Sequence, residues 1–333
     1  MQRPAISAVI PTWNALRFLP ACLAALQAQL APTDEIVLVD NASRDQAGAW
    51  ARQHAPQVRV LTLPTNLGFA GGTAAGIAAA RGELLLLIND DALAEPGCVA
   101  ALWQALAATP TAGMAAGVLT FSRRPSIVAS AGIVFQRDGV ATDLHLGASL
   151  TALPAAPEPI FGASGGLVLL RRSLINEVGN LEPSFFSYLE DADLAWRAQL
   201  QGWGCVLAPQ ARARHVYSAS AGQGSPFKQR LLGRNRLRVI VRCLPTPLLR
   251  ECLPQIMAYD LLALGYAVLR RQPAIIAGRL TALAELPQLQ AQRRIIQARR
   301  TAPLAALAAW LAPAPPPWQA LRVARRLAVL TQR

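Results

Sequence analysis

The chain has 333 residues, 53% hydrophobic and 15% charged, a balance that excludes a disordered chain and leaves room for one large domain or two modest ones. The formal net charge of +13 is unevenly placed: residues 1–227 carry 14 Arg against 16 acidic residues, a net of −2, and residues 228–333 carry 18 Lys and Arg against 3, a net of +15. A basic segment of this kind points to an acidic partner, nucleic acid or an anionic membrane surface. Five scattered cysteines (Cys22, Cys98, Cys205, Cys243, Cys252) with no CxxC argue against a disulfide framework or a zinc site and fit a reducing compartment. There is no fixed repeat.

Along the first 110 residues, strand and helix patterns alternate. Ala5–Ile10 reads as a strand stopping at Pro11-Thr12, and is too short for the core of a signal peptide. Leu16–Leu30 has helical apolar spacing, Glu35–Asp40 is an apolar run ending in an acid, Asp45–His54 is a polar helix, and Val58–Leu63 is the third strand. Phe69–Ala80 reads as a helix, Leu84–Ile88 as the fourth strand ending in Asn89-Asp90-Asp91, and Gly97–Ala108 as a helix entered through Pro96. Continuous apolar strands alternating with helices predict an α/β fold, a parallel sheet covered on both faces, with ligands beyond the carboxyl ends of the strands. Pro11-Thr12-Trp13-Asn14, Asp40-Asn41 and Asn89-Asp90-Asp91 then share one rim. Residues 111–160 read as irregular, with short strands. Gly162–Arg171 is a strand, Leu194–Leu200 a helix starting just after Glu190-Asp191-Ala192-Asp193, Gly204–Ala208 a strand, and Ala213–Tyr217 carries His215.

Adjacent carboxylates at a strand end repel unless a cation or donor lies between them, and Mg²⁺ or Mn²⁺ takes carboxylate oxygens together with substrate phosphates. A solvated, helix-capping turn is the plainer reading of Asp90-Asp91. The cluster Glu190–Asp193 has a plain reading too, as acids favouring a helix dipole, with Asp191 as N-cap. The aromatic run Phe185-Phe186-Ser187-Tyr188-Leu189 before it suits the wall of a sugar or base pocket, where desolvation raises a carboxylate toward general-base use. His215 reads as structural or as the completion of a metal site, while His54 and His145 read as surface residues. Asn66-Leu67-Gly68-Phe69-Ala70-Gly71-Gly72 precedes a helix whose N-terminus suits phosphate, but there is no P-loop lysine, which argues against an ATPase.

Together, in order over residues 5–217, Val9-Ile10-Pro11-Thr12-Trp13-Asn14, Val39-Asp40-Asn41-Ala42-Ser43-Arg44-Asp45, Asn66–Gly72, Leu87-Ile88-Asn89-Asp90-Asp91-Ala92 and Phe185–Leu194 resemble the family 2 inverting glycosyltransferases of GT-A fold, particularly the rhamnosyltransferase-like branch of bacterial polysaccharide synthesis. The resemblance implies a GT-A-type mostly parallel sheet flanked by helices, followed by a basic helical C-terminal region. It implies that Pro11, Thr12 and Asn14 border the nucleotide, Asp40 the pyrimidine base, Asn66 the nucleotide or ribose, and Asp90 the ribose or sugar. It places Asp91 on a Mg²⁺ or Mn²⁺ ion with His215 as a second ligand, and makes Asp191 the catalytic base. Asn89 replaces the first acid of the family's DxD. The implied donor is a dTDP-, UDP- or GDP-sugar, rhamnose among the sugars, and the acceptor a glycan or polyprenyl-linked hydroxyl in cell-envelope synthesis.

The expected domains are 1–225, catalytic, with a nucleotide-sugar half over 1–110 and an acceptor half over 111–225, and 226–333, a basic membrane-associating region. Arg230, Arg234, Arg238 and Arg242 recur every four residues as one stripe, the pattern of an interfacial helix, against a solvated Arg face as the plain alternative. Arg270-Arg271, Arg293-Arg294, Arg299-Arg300 and Arg325-Arg326 follow. Ile256–Leu269, interrupted by Asp260, and Ala302–Ala312 fall short of the roughly 20 apolar residues of a span, so the expected location is peripheral, on the cytoplasmic face of the cell membrane. Two rivals stand beside this: a sugar nucleotidyltransferase of the same fold, disfavoured because the first strand ends in Pro11-Thr12-Trp13-Asn14 instead of a Gly-rich basic loop, and a nucleic-acid-binding protein, disfavoured because aromatic residues lie far from the basic clusters.

Overall fold

The computed structural model describes residues 3–216, 225–316 and 330; the Arg325-Arg326 cluster lies outside them. In chain order the elements are β1 (Ile6–Thr12), α1 (Leu19–Gln27), β2 (Glu35–Asp40), α2 (Ala47–His54), β3 (Arg59–Thr62), α3 (Gly68–Ala79), β4 (Leu84–Ile88), β5 (Ala92–Ala94), α4 (Cys98–Ala108), β6 (Ala112–Phe121), β7 (Arg124–Ser130), β8 (Ile133–Gln136), β9 (Ala141–Asp143), β10 (Glu158–Ile160), β11 (Leu167–Arg171), α5 (Arg172–Val178), α6 (Glu190–Leu200), β12 (Gly204–His215), α7 (Pro226–Cys243), α8 (Thr246–Leu269), α9 (Pro273–Ala284), α10 (Leu286–Ala298), α11 (Leu304–Ala308) and β13 (Leu311–Ala312).

The main sheet runs β10-β12-β6-β11-β4-β1-β2-β3, with β5 on β12 and β7 on β6. The four strands from β4 to β3 are all parallel; β11 enters antiparallel to β4 and β6, and β12 runs parallel to β6. This is the expected α/β architecture. The alternation of side chains sorts the strands onto two cores: Val9, Val37, Leu85 and Leu87 face one hydrophobic cluster, and Ala8, Ile10, Leu38, Leu86 and Ile88 the other. Burial on both faces is why β2 and β4 read as unbroken apolar runs.

Three elements depart from the sequence reading. Residues 111–160, expected to be irregular, contain β6, ten residues buried throughout between β11 and β12. Its sequence, AGMAAGVLTF, is rich in Ala and Gly, which are poor strand formers; its place in the sheet, not its propensity, makes it a strand. The run from Gly162 becomes a strand only at Leu167, and Gly204–Ala208 and Ala213–His215 are one strand, β12, with register irregularities.

The largest correction concerns the tail. The stripe on α7 faces the protein for half of its length. Arg238 and Arg242 are buried, and of the four stripe arginines only Arg230 is exposed. Arg238 pairs with Glu285 at 2.7 Å, and Arg242 lies 3.0 Å from Asp193 and 3.2 Å from Glu182. The neighbouring Arg236 pairs with Asp260 at 2.9 Å, and Arg279 of α9 reaches the same carboxylate at 2.8 Å. Asp260, expected to interrupt an apolar run, is thus the ionic link between α7, α8 and α9. Val239, Ile240, Cys243, Leu244, Leu248 and Ile256 belong to the same buried cluster as Phe185 and Trp196, so the basic helices share a core with the sheet. Four-residue periodicity marks a face but not what the face meets.

The helix α8 is also longer than expected. Pro254 lies inside it without ending it, and its 24 residues are long and apolar enough to cross a membrane by length and composition. Leu261, Leu262, Val268 and Leu269 are exposed on it, as are Leu280 and Leu283 on α9.

Asp193 is fully buried and holds two cations, Arg197 at 2.8 Å and Arg242. Burial alone would raise its pKa, but Arg242 and Arg197 hold it below the ordinary value. A depressed carboxyl stabilises the fold above its unfolded-state pKa of about 3.9 and loses that contribution as pH falls through the lower folded value. Asp193→Ala leaves two buried guanidiniums without their common anion and is expected to cost about 3–5 kcal/mol, read as a lower urea midpoint. A loss within about 0.5 kcal/mol, the size of a surface change, would mean that the carbonyls of Val178, Gly179 and Asn180, which Arg197 also contacts, suffice by themselves.

Candidate active site

The carboxyl ends of β1, β2 and β4 lie side by side because their strands are adjacent and parallel; Thr12 and Asp40 are direct register partners. Pro11 and Thr12 are buried at the end of β1, and Asp40 is nearly so. One oxygen of Asp40 accepts from the Ser43 amide at 2.9 Å. A Cβ on Gly48 would come within 2.3 Å of the other, so α2 can cover this carboxylate only with glycine in its first turn. Asn14, exposed and in a left-handed conformation, ties two loops: its amide donates to Ser43 Oγ at 3.2 Å, and its Oδ1 accepts from Arg44 N at 2.7 Å. Trp13 beside it is exposed on the same rim.

Asn66 is engaged within its own loop, accepting from Gly68 N at 2.8 Å. Asn41, placed on the rim from sequence but given no role there, accepts from Leu67 N and donates to Gly68 O, both at 2.8 Å. The amides of Phe69 and Ala70 donate to Ser187 Oγ at 3.1 Å and Phe186 O at 2.9 Å. All four amides at the start of α3 are therefore occupied by the protein, which corrects the expectation of a phosphate seat there. Gly68 has a φ of +71°, and a Cβ on it would lie 2.1 Å from Phe186 O. The glycines of this motif let α3 press against the loop that precedes the second acidic cluster.

Asp90 and Asp91 follow β4 and are half-buried. Desolvation and the neighbouring Asp91 push Asp90 up to about 7, with the Thr12 hydroxyl and Trp13 amide pulling the other way. Asp91 Oδ1 is 2.9 Å from His215 Nε2, because the end of β12 pairs with β5 and brings His215 opposite Ala92. Asn89 Nδ2 is 3.0 Å from the same nitrogen. Burial opposes a charge on His215, but Asp91, Asp143 and Asp90 together hold it above its usual value; carboxylates that favour an imidazolium also favour a metal ion in place of its proton. Among the described residues no three His, Cys, Asp or Glu side chains converge, so Asp91 and His215 form a two-residue set, and the buried Asn89 Oδ1 has no hydrogen-bond partner. Such a sparse set fits Mg²⁺ or Mn²⁺, which draw further ligands from water and substrate phosphates.

Asp191 lies in the first turn of α6, which begins with the first of the acids, Glu190, and not after them. Its N-cap is Leu189, so Asp191 is no helix cap; its oxygens accept from Ala192 N at 2.8 Å and Gly165 N at 3.2 Å. Desolvation pushes it up to about 6 against these amides, with Asp143 adding to the rise. Glu190 beside it is buried, and desolvation together with Asp191 raises it well above the ordinary carboxyl value. The next residue, Gly166, accepts from Asn89 N at 3.2 Å. Two consecutive glycines thus join the Asp191 carboxylate to the Asn89-Asp90-Asp91 strand end. Asp143 of β9, also not singled out from sequence, exerts its field on Asp191, His215 and Lys228 together. The expected aromatic wall is only partly present: Phe185 is fully buried under Arg238 and Arg242, whereas Phe186 and Tyr188 are half-buried.

A family model described as glycosyl transferase family 2 matches residues 7–179, more than half of the chain and most of this site. The chain belongs to that family. It is a glycosyltransferase, 28% identical over 215 residues to the N-acetylglucosaminyl-diphospho-decaprenol L-rhamnosyltransferase of Mycobacterium tuberculosis (strain CDC 1551 / Oshkosh), a match covering 56% of this chain and 68% of that protein. Among solved structures, the mannosyltransferase PcManGT from Pyrobaculum calidifontis, in complex with GDP-Man and Mn²⁺, is similar with a TM-score of 0.51 and 18% identity, over 89% of this chain and 88% of that one. S. aureus TarS in complex with UDP-GlcNAc is similar with a TM-score of 0.55 and 16% identity, over 88% and 90% of the two chains. At such identities they share the fold, the GT-A architecture expected from the sequence.

Proposed function

We propose that this family 2 glycosyltransferase moves a sugar, with inversion, from a dTDP-, UDP- or GDP-sugar to a hydroxyl of a polyprenyl-linked or glycan acceptor in cell-envelope polysaccharide synthesis, rhamnose being the first donor sugar to test. The observation that carries this reading is the Gly165-Gly166 link, which joins a desolvated carboxylate of raised pKa, Asp191, to the strand end bearing Asp91 and His215. The donor lies along the rim of Thr12, Asp40 and Asp90. Asp91 and His215 would hold a Mg²⁺ or Mn²⁺ ion, which when bound offsets the charge of the leaving diphosphate. Asp191 takes the proton of the acceptor hydroxyl as its oxygen bonds to the anomeric carbon from the face opposite the breaking bond to the diphosphate.

The lipid-linked acceptor is supported by the mycobacterial relative, whose name specifies a diphospho-decaprenol substrate. A peripheral seat on the cytoplasmic face of the membrane is supported by the exposed leucines of α8 and α9 with Arg270 and Arg271 at the end of α8, and not by the Arg stripe, which is largely internal. The test is a panel of dTDP-, UDP- and GDP-sugars with Mn²⁺, read as thermal shifts, since ligands that bind only the folded state raise its stability. It is followed by transfer to a polyprenyl-diphosphate acceptor in phosphatidylglycerol vesicles. One nucleotide class should raise the Tm, and the product should carry the inverted anomer. A retained anomer would sink the mechanism. A protein that does not float with the vesicles, or that loses nothing on Leu261→Ser with Leu262→Ser, would sink the membrane seat.

A further inference from the structure

The segment leading to Asp191 is backbone-strained. Phe186, Tyr188 and Leu189 have φ of +64°, +72° and +68°, and none is glycine. Such a conformation is strained for a residue with a side chain and persists only where the surroundings over-determine it. On one side the surroundings are the α3 amides already described. On the other is Asn235 in the middle of α7, a fully buried residue. Its single carboxamide nitrogen lies 3.0, 2.9 and 2.7 Å from the carbonyl oxygens of Phe185, Ser187 and Tyr188. Its oxygen accepts from Arg234 Nε at 2.9 Å, and the Arg234 guanidinium donates to Ser184 O at 3.1 Å and Phe185 O at 2.7 Å. The Leu189 carbonyl then accepts from Asp193 N at 3.0 Å and starts α6. The strained turn therefore sets the direction in which the first turn of α6 carries its acids.

We infer that Asn235, oriented by Arg234, is a positioning residue for this transfer: it holds the loop 184–189 in the strained form that aims the Asp191 carboxylate at the acceptor hydroxyl. It touches neither donor nor acceptor, and it acts only by donating to carbonyls. The inference rests on the assignment of Asp191 as base. An amide is the suitable group, since it supplies two N–H donors to converging carbonyls while bearing no charge to be neutralised in a buried place. Asparagine is a weaker helix former than the leucines and arginines around it, so its place in α7 is explained by its side-chain bonds and not by propensity.

The test compares Asn235→Ala, Asn235→Ser and Arg234→Gln with wild type, the Tm of each being recorded with the kinetics. A loosened base costs about 10–100-fold in kcat, since a displacement near 1 Å is worth up to about 10²-fold. Donor KM and the thermal shift on donor binding should stay within twofold, because the rim of Thr12, Asp40 and Asp91 is held by other elements. The acid limb of the kcat–pH profile should also move down from about 6, as a freed loop lets water reach the carboxylate; the titratable groups near it, Glu190 and Asp193 on α6 and Asp143 on β9, are themselves unchanged by these substitutions. Asn235→Ser, which keeps a donor, should recover part of the rate. If Asn235→Ala does not fold, Arg234→Gln, which removes the contacts to Ser184 and Phe185 and the hydrogen bond that orients Asn235 but leaves the carboxamide in place, carries the same expectation at smaller size. Wild-type kcat and an unmoved limb in the folded variants would overturn the inference while leaving the base assignment intact; a silent Asp191→Asn would instead remove the base assignment beneath it.

Discussion

Asp191→Asn is expected to lower transfer by roughly 10²–10⁴-fold, the range of a positioned general base, with donor binding retained. The amide is nearly isosteric with the carboxyl but cannot take a proton. The pH dependence has a definite sign: the base must be ionised, so the rate falls as pH drops through about 6, where burial sets Asp191. The stability effect has the opposite sense. A folded pKa above the unfolded value means that the ionised carboxylate opposes folding at neutral pH, and that this penalty fades as pH falls through about 6. Asp191→Asn should therefore keep or slightly raise the Tm at pH 8 while abolishing most of the rate. A variant with wild-type turnover would show that Asp191 serves only to bind the Gly165 amide.

Asp91→Ala is expected to remove metal-dependent donor binding altogether. The site has two candidate protein ligands, and Asp91 is the carboxylate; His215 alone, already held by Asn89 and Asp91, brings no negative charge to a cation. Titration of Mn²⁺ with the nucleotide diphosphate, followed by calorimetry, should show saturable binding in wild type and none in Asp91→Ala. Binding without metal should be unchanged. Asp91 lies beyond the last residue of β4 and outside both hydrophobic clusters, so the circular dichroism spectrum should not move. Undiminished Mn²⁺-dependent affinity would reject Asp91 as ligand.

The parts of this molecule that could be read from sequence are those in which a residue's neighbours along the chain are also its physical environment. Strands β2 and β4 occupy the expected Glu35–Asp40 and Leu84–Ile88, because a doubly covered parallel strand must be apolar from end to end. The acids at their ends followed from the same topology. Strand β6 was hidden because its identity comes from β11 and β12, whose own sequence positions are about 50 and 90 residues away. His215 met Asp91 by way of strand pairing across more than a hundred residues, which only resemblance to a family could anticipate. The Arg stripe was misread for a similar reason: Asp193, Glu182 and Glu285, the counter-charges of Arg242 and Arg238, are nowhere near them in sequence. Asn235 left one faint trace, a poor helix former inside a long helix, and its three carbonyl partners lie some fifty residues upstream.

The clamp formed by α7 has a consequence for exchanging parts between related enzymes. Acceptor preference in a two-part enzyme invites chimaeras cut at the change in charge near residue 226, with one head joined to another tail. In this protein such a cut severs the loop 184–189 from the carboxamide and guanidinium groups that hold it, and Asp193 from Arg242. The heritable unit is therefore discontinuous, the stretch from Glu182 to Arg197 together with α7. A graft that moves both segments should keep its turnover, whereas one that moves only the tail should lose most of it.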